Sequence, residues 1–468
     1  MEIRESPSSL VWPPFIAEQA TSLPSVVAGL EESQHWPAER LSHGQQAQLI
    51  QLLEWAGGNV PHYQDAEWLP KKLAELRRKP KNFWNIWRTV PILTKAELRR
   101  QGARMNACEV PRTHQPLKKV ITSGSTGIPV EVGSTAVTRL IWNALTLREI
   151  LWRRRDFSKR LGAIRYLPKS QRDPQGSLSP SWPKLVAQYY RTGPFGIIHV
   201  GFPVDELARW LREFDPHYLV THPSVAAALF DELGGPSAKP PSLQEITFVA
   251  EPLPPSLEAR LAEEWGVRSA EYYSANEMGY IAFRCAECDR LHVQAEATLV
   301  EIIDEAGNPC GPGESGRVVV TPLHNLATPL IRYELGDYAT VGEPCACGRT
   351  LPVIERVLGR VRNLAQTPDG RRYWPVALGK FMAMPSVRQF QYVQTALDTI
   401  QLRLVLNQTL TEEENSQAVE LARAALGYPF RVEIVPVSEI ARGPNGKFEE
   451  FLSLIPAGQA AKLEDPAG

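Results

Sequence analysis

Through the middle of the chain, short apolar runs alternate with helix-patterned segments, and this alternation limits the fold more than any other feature. The runs are Gly196 to Val200, Tyr218 to Thr221 and Glu245 to Val249. Strand-like runs separated by helical stretches predict an α/β domain with a largely parallel sheet. Ahead of them, Thr138 to Trp152 has helical apolar spacing. From Thr298 to Val341 the pattern changes to β-rich runs broken by Gly and Pro, such as Arg317 to Thr321, which predicts a smaller β subdomain closing the large domain. Residues 1–115 mix helical patterns with prolines. Their aromatic stretch Phe83-Trp84-Asn85-Ile86-Trp87 reads as core or interface anchors.

A boundary is expected around Gly359-Arg360, after the apolar run Pro352-Val353-Ile354. Beyond it, strand-like Phe390 to Gln394 and Ile400 to Leu406 precede a helical pattern from Glu412 to Ala425, and Arg431 to Pro436 returns to strand. An α+β module of about 100 residues is a reasonable independent unit. The expected fold class is therefore α/β, with a large N-terminal domain over 1–359 and a small α+β domain over 360–468.

With 468 residues and 43% apolar content the chain can bury ample core. Its formal charge of −1 supplies no general basic field for nucleic acid. Forty prolines argue against a long helical bundle. No apolar run reaches membrane-spanning length, and Met1-Glu2-Ile3-Arg4-Glu5 lacks the order of a signal peptide, so a cytoplasmic protein is expected. The basic clusters Arg99-Arg100 and Arg153-Arg154-Arg155 read as solvated helix faces.

The apolar pair Val120-Ile121 runs into Thr122-Ser123-Gly124-Ser125-Thr126-Gly127-Ile128-Pro129. Glycines let backbone N–H groups turn toward one point, and the hydroxyls add donors there, which suits a polyphosphate. No Gly-Lys-Ser/Thr closes the loop, so it is not a Walker loop. Three further motifs follow in order: Tyr273-Ser274-Ala275-Asn276-Glu277, Tyr333-Glu334-Leu335-Gly336-Asp337, and Gly443-Pro444-Asn445-Gly446-Lys447. This ordered set resembles the adenylate-forming superfamily of acyl-CoA synthetases, and within it the phenylacetate–CoA ligase family. Asn59-Val60-Pro61-His62-Tyr63, Val90 to Lys95 and Phe448 extend the resemblance over nearly the whole chain.

The resemblance implies a site. Ser123, Gly124, Ser125, Thr126 and Gly127 would cradle the phosphates of ATP, with Val130 where the family usually has a lysine. Glu277 would carry Mg²⁺, Tyr273 would stack on adenine, and Asn276 would reach the α-phosphate. Ala250-Glu251-Pro252 resembles a segment lining the adenine and acyl pocket, and Asp337 would accept the ribose hydroxyls. Arg332 and Arg360 are candidates for phosphate contacts. Lys447, on a C-terminal domain that is mobile in the family, would be the catalytic lysine. Arg362-Asn363 depart from the family's hinge, where an acidic residue follows Gly-Arg. Trp142, Phe202, Ala275 and Tyr280 lie near these motifs and are candidates for the acyl pocket.

Two thiol pairs, Cys285-Ala286-Glu287-Cys288 and Cys345-Ala346-Cys347-Gly348, suit a closed structural Zn²⁺ site, in which His292 can replace Cys288. Cys108 and Cys310 have no such partners. The function expected is ATP-dependent activation of an aromatic carboxylic acid as its acyl-adenylate, followed by transfer to coenzyme A. A carrier-protein thiol or an amine remains the alternative acceptor, and relatives imply a homodimer. A fold retained without turnover is disfavoured by Glu277, Asp337 and Lys447 together.

Overall fold

The computed structural model describes residues 22–121, 131–288, 290–360, 365–369, 372–373, 384–440 and 449–455. The chain divides into a unit ending at Val357 and a second beginning at Leu358.

The first unit opens with helices α1 (Leu23–Ser33), α2 (Ala38–Asn59), α3 (Pro61–Gln64), α4 (Trp68–Arg78), α5 (Phe83–Trp87) and α6 (Lys95–Gln101). Phe83, Ile86 and Trp87 of α5 are buried in the core, as their spacing and apolar character demand. A hairpin of β1 (Lys118–Ile121) and β2 (Glu131–Ser134) leads into α7 (Ala136–Trp152). Thr135 caps α7, its hydroxyl accepting from the Thr138 N–H at 3.0 Å.

Then come β3 (Leu161–Arg165), β4 (Ser177–Ser179), α8 (Lys184–Ala187), β5 (Phe195–His199), α9 (Val204–Phe214), β6 (Tyr218–Thr221), α10 (Pro223–Leu233), β7 (Glu245–Phe248), α11 (Pro255–Glu263) and β8 (Arg268–Ala275). The run β8-β7-β6-β3-β5 is parallel throughout, with β4 antiparallel at its edge. Residues 245–248 are buried at every position, as parallel strands covered on both faces require. Helix α9 buries Leu207, Ala208, Trp210 and Leu211 along one face.

The sheet continues without a break into antiparallel strands: β9 (Gly279–Arg284), β10 (Leu291–Val293), β11 (Thr298–Ile303), β12 (Ser315–Pro322), β13 (Tyr333–Val341) and β14 (Val353–Arg360). Its full order of twelve is β11-β12-β13-β14-β10-β9-β8-β7-β6-β3-β5-β4. In that order β8 and β13 stand four strand spacings apart, ~19 Å on a flat sheet. Yet the Tyr273 hydroxyl on β8 donates to Asp337 on β13 at 2.7 Å. The antiparallel part must curl back on itself, and that curl brings two sequence-distant motifs together.

The Arg153-Arg154-Arg155 cluster departs from the expected solvated face. Arg153 and Arg155 are not on a solvated face: both are buried, and both grip Glu245 at 2.8 and 2.7 Å, while Arg155 also takes Glu149 at 2.8 Å. Only Arg154 points outward, with 88% of its side chain exposed. A second buried pair, Arg148 and Glu296 at 2.7 Å, ties α7 to the turn before β11.

The second unit has short β15 (Ala365–Gln366) and β16 (Arg372–Tyr373), then β17 (Val387–Ala396), β18 (Thr399–Leu406), α12 (Glu412–Leu426), β19 (Arg431–Pro436) and β20 (Phe451–Ser453). A four-stranded sheet of order β19-β18-β17-β20 packs Phe390, Tyr392, Ile400, Leu402 and Leu404 against Ala418, Ala422 and Leu426 of α12. Thr411 and Glu414 form a reciprocal capping box that starts α12. No helix among the described residues is long and apolar enough to cross a membrane.

Candidate active site and cysteine–histidine cluster

Side chains alternate across a strand, so neighbours on β8 serve opposite faces. Tyr273 faces Asp337, which is 9% exposed, and its hydroxyl fills part of that carboxylate's acceptor capacity. Asn276 and Glu277 sit in the turn between β8 and β9, closed by Met278 N–H donating to the Ala275 carbonyl at 3.1 Å. Glu277 is half-buried and Asn276 exposed. Tyr273 and Asp337 therefore meet across the curled sheet, and Asn276 and Glu277 follow Tyr273 in the turn that closes β8.

Tyr272 faces the other way, against Tyr280 of β9 at 5.0 Å between ring centroids. Trp142 of α7 stacks on Tyr280 at 4.2 Å, with planes 23° apart. Thr146, one helical turn after Trp142, donates its hydroxyl to Tyr280 at 3.4 Å. Gly279 is required here, because its φ is +88° and a Cβ would stand 3.0 Å from the Trp142 ring. Burial pushes the phenols of Tyr272 and Tyr280 up, and the charge of Arg165 opposes this at both. Of the acyl-pocket candidates, Trp142 and Tyr280 meet directly, and Ala275 pairs with Gly279 in the same hairpin. Phe202 is not with them; it packs edge-on to His199 at 5.7 Å, against a separate core cluster. Tyr272, Thr146 and Arg165 were not singled out from the sequence. The only signal was their spacing, next to Tyr273 and one turn beyond Trp142.

At the end of β7, Ala250 adopts φ +70° and turns Glu251 toward α10. The Glu251 carboxylate accepts from the Ser224 N–H and hydroxyl, both at 3.1 Å, with His222 Nδ1 at 3.8 Å. It anchors a helix start, while Ala250 and Pro252 are exposed.

Arg332 is not placed for phosphate, contrary to expectation. It is 2% exposed, and its guanidinium binds Glu301 twice at 3.1 Å and the carbonyls of Arg88 and Val90. Four of the five N–H donors of the fork are taken inside the protein, and the group is buried away from any ligand. Ser123, Gly124, Ser125, Thr126 and Gly127 lie outside the described residues, between β1 and β2; Lys447 and the side chain of Arg360 also lie outside them.

Cys285 at the end of β9, Cys288 in the turn, His292 on β10 and Cys345 in the β13–β14 connection place their ligand atoms within 4.8 Å of one another. Cys285 and Cys345 are 3.9 Å apart, close to the ~3.8 Å edge of a tetrahedron with zinc–sulfur bonds of about 2.3 Å. Cys288 and Cys345 are closer, at 2.8 Å, and Cys347 stands 3.3 Å from His292 Nε2. Burial raises the Cys285 thiol, but the backbone N–H groups of Glu287 and Cys288 together with the Cys288 and Cys347 side chains hold the pKa below its ordinary value, which favours thiolate. His292 is fully buried, and burial pushes its pKa down to about 4, so the ring is a neutral ligand. The donor set fits zinc, with His292 inside the group of four and Cys347 beside it. The same connection docks α1: the Thr350 N–H donates to Gln34 O at 2.9 Å, and Arg349 to Gln34 Oε1 at 2.9 Å.

No family model matches the sequence. A crystal structure of 2-hydroxyisobutyryl-CoA ligase in its postadenylation state, with 2-HIB-AMP, superposes with a TM-score of 0.68 at 19% identity, covering 90% of this chain and 91% of that one. An anthranilate CoA ligase in complex with anthranoyl-AMP gives 0.51 at 17% identity, over 70% of this chain and 64% of the other. The fold is that of the adenylate-forming acid–CoA ligases. By sequence, a phenylacetate–coenzyme A ligase of Thermus thermophilus is 24% identical over 89% of this chain and 97% of its own length. That of Escherichia coli is 26% identical over 85% and 92%. Within the class, the chain is a homologue of the phenylacetate–coenzyme A ligases.

Proposed function

We propose that the protein is an adenylate-forming acid–coenzyme A ligase. It joins a carboxylic acid to the α-phosphate of ATP, releases pyrophosphate, and passes the acyl group to the thiol of coenzyme A. The observation that carries this reading is the meeting of Tyr273 and Asp337 across the curled sheet, beside the Asn276–Glu277 turn. Asp337, oriented by the Tyr273 hydroxyl, accepts the ribose hydroxyls, since a carboxylate can take two O–H bonds at once. Glu277 is the carboxylate that would hold Mg²⁺, which supplies charge neutralisation at the phosphates. Ser123, Ser125 and Thr126 are the donors for the β- and γ-phosphates, and Lys447 is the charge that steadies the transition state as the carboxylate attacks. The aromatic wall of Trp142, Tyr272 and Tyr280 favours an aryl or arylalkyl acid. A zinc held by Cys285, Cys288, His292 and Cys345 is structural, because all four donors are protein groups and the α1-docking loop carries one of them.

Substituting Glu277→Ala or Asp337→Ala should suppress acid-dependent pyrophosphate exchange with the fold intact by circular dichroism. Full exchange in both variants would remove the assignment.

A further inference from the structure

The hairpin of β1 and β2 is a two-stranded sheet of its own, outside the twelve-stranded order. Along its outer edge, side chains take the place of a third strand. Gly133, opposite Lys119 in the register, donates its N–H to Thr328 Oγ1 at 2.8 Å and accepts at its carbonyl from Asn325 Nδ2 at 2.9 Å. Both side chains are oriented by their own neighbours. The Thr328 hydroxyl donates to Asn106 Oδ1 at 2.6 Å, which leaves an oxygen lone pair for the Gly133 N–H. Asn325 Oδ1 accepts from the Ala327 N–H at 3.2 Å, and this turns the donor end of the amide toward the hairpin. Thr328 is fully buried and Asn325 is 3% exposed. The approach needs glycine, because a Cβ at position 133 would stand 2.9 Å from the Ala327 Cβ and 3.2 Å from Thr328 Oγ1.

This clamp belongs to the connection between β12 and β13, which is itself held in place. The Ala107 N–H donates to the Ala327 carbonyl at 2.8 Å. The Tyr63 hydroxyl donates to the Pro329 carbonyl at 3.1 Å and accepts from the Ile331 N–H at 3.3 Å. β13 begins two residues later, at Tyr333, and carries Asp337. In sequence, β1 and β2 flank the hydroxyl-rich run proposed above for the β- and γ-phosphates. One short connection therefore grips the hairpin and leads into the strand of the proposed ribose contact.

We propose that Thr328 and Asn325 are positioning residues for ATP, which set the hairpin at its distance from Asp337. This deepens the ligase reading and rests on it. Neither side chain touches the nucleotide; each acts through the backbone of Gly133. The covalent span from ribose to γ-phosphate is limited, so contacts at both ends form together only when the hairpin is correctly placed. A hairpin released from the clamp loses grip on the β- and γ-phosphates while base and ribose contacts stay. A nucleotide without those phosphates is indifferent to the clamp.

The test compares equilibrium binding of ATP and of AMP by calorimetry, with acid-dependent pyrophosphate exchange, in the wild type, Thr328→Val, Thr328→Ser and Asn325→Ala. Thr328→Val keeps the shape and loses the hydroxyl, Thr328→Ser keeps the hydroxyl, and Asn325→Ala removes the second bond to Gly133. Kd for ATP should rise by about three- to tenfold in Thr328→Val and in Asn325→Ala, the scale of one hydrogen bond. Kd for AMP and KM for the acid should stay as in the wild type, and Thr328→Ser should bind ATP as the wild type does. Equal weakening of ATP and AMP, or unchanged ATP affinity in either variant, would make the clamp merely structural and overturn the inference while leaving the ligase reading standing. Thr328→Ser as impaired as Thr328→Val would overturn it too. Should Thr328→Val fail to fold, the ATP-to-AMP ratio in Asn325→Ala decides. Exchange that needs no acid in the wild type would instead defeat the ligase reading.

Discussion

Replacing Arg332 separates a structural role from a phosphate-binding one. Its guanidinium holds Glu301 through two bonds of 3.1 Å, and Glu301 also accepts from the Trp87 indole at 3.1 Å. The Glu301 side chain is only 13% exposed, so Arg332→Ala leaves a largely buried carboxylate without its counter-charge. The carbonyls of Arg88 and Val90 lose their donor in the same step. Removing one member of a buried pair typically costs about 3–5 kcal/mol. No offset comes from the backbone: Arg332 has φ +48°, and alanine keeps the Cβ that makes a left-handed residue cost roughly 1–2 kcal/mol. Urea unfolding should therefore show a loss of about 3 kcal/mol or more. In Arg332→Ala/Glu301→Gln the loss should be clearly smaller than the sum of the singles, because the orphaned charge is gone. At a temperature where the variant remains folded, KM for ATP should change little. Unchanged stability together with a large rise in KM for ATP would refute the structural assignment.

Tyr273→Phe deletes one donor to Asp337 and should raise KM for ATP by about two- to tenfold with little change in unfolding free energy, the scale of one hydrogen bond. Protein prepared without added zinc should carry about one equivalent, as a closed four-ligand site implies, with His292→Ala losing the metal and Cys347→Ala retaining it. His324 is buried, its Nδ1 facing the Ala297 carbonyl at 3.1 Å, and burial lowers its pKa to about 4. Since the unfolded chain takes up this proton near 6.5, stability is full above that pH and falls on acidification toward 4, by ~3 kcal/mol over the interval. His324→Gln should flatten that part of the acid limb in chemical denaturation at several pH values; an unchanged slope would refute it. Lys447→Ala should slow adenylate formation by about a hundredfold or more while sparing the turnover of a prepared acyl-adenylate.

Local pattern made the parallel strands legible: Tyr218 to Thr221 matches β6, and Glu245 to Val249 contains β7. Helix α7 was visible from its apolar spacing, beginning two residues earlier than expected because Thr135 caps it. The expected Cys/His cluster was legible because thiols concentrate on two turns, although the membership of His292 depends on strand register between β9 and β10. What failed was long-range. Arg153 and Arg155 look like a surface cluster until β7 brings Glu245 against them from 92 and 90 residues away. Arg332 looks ready for phosphate until β11 supplies Glu301 from 31 residues away. Nothing local reveals that β8 and β13 curl together, so neither the Tyr273–Asp337 bond nor the opposite aromatic face could be read from periodicity. Phe202 was grouped with the acyl pocket by proximity to motifs, but its strand end faces a different core.

The most direct measurement is a single-turnover reaction with ATP and an aryl acid, run with and without coenzyme A and resolved by mass spectrometry. Without coenzyme A the reaction should yield pyrophosphate and an acyl-adenylate, and when coenzyme A is added it should yield AMP with the acyl-CoA thioester. Cleavage of ATP to ADP and phosphate would contradict adenylation. An adenylate that coenzyme A leaves intact but an amine or a carrier-protein thiol consumes would contradict the acceptor.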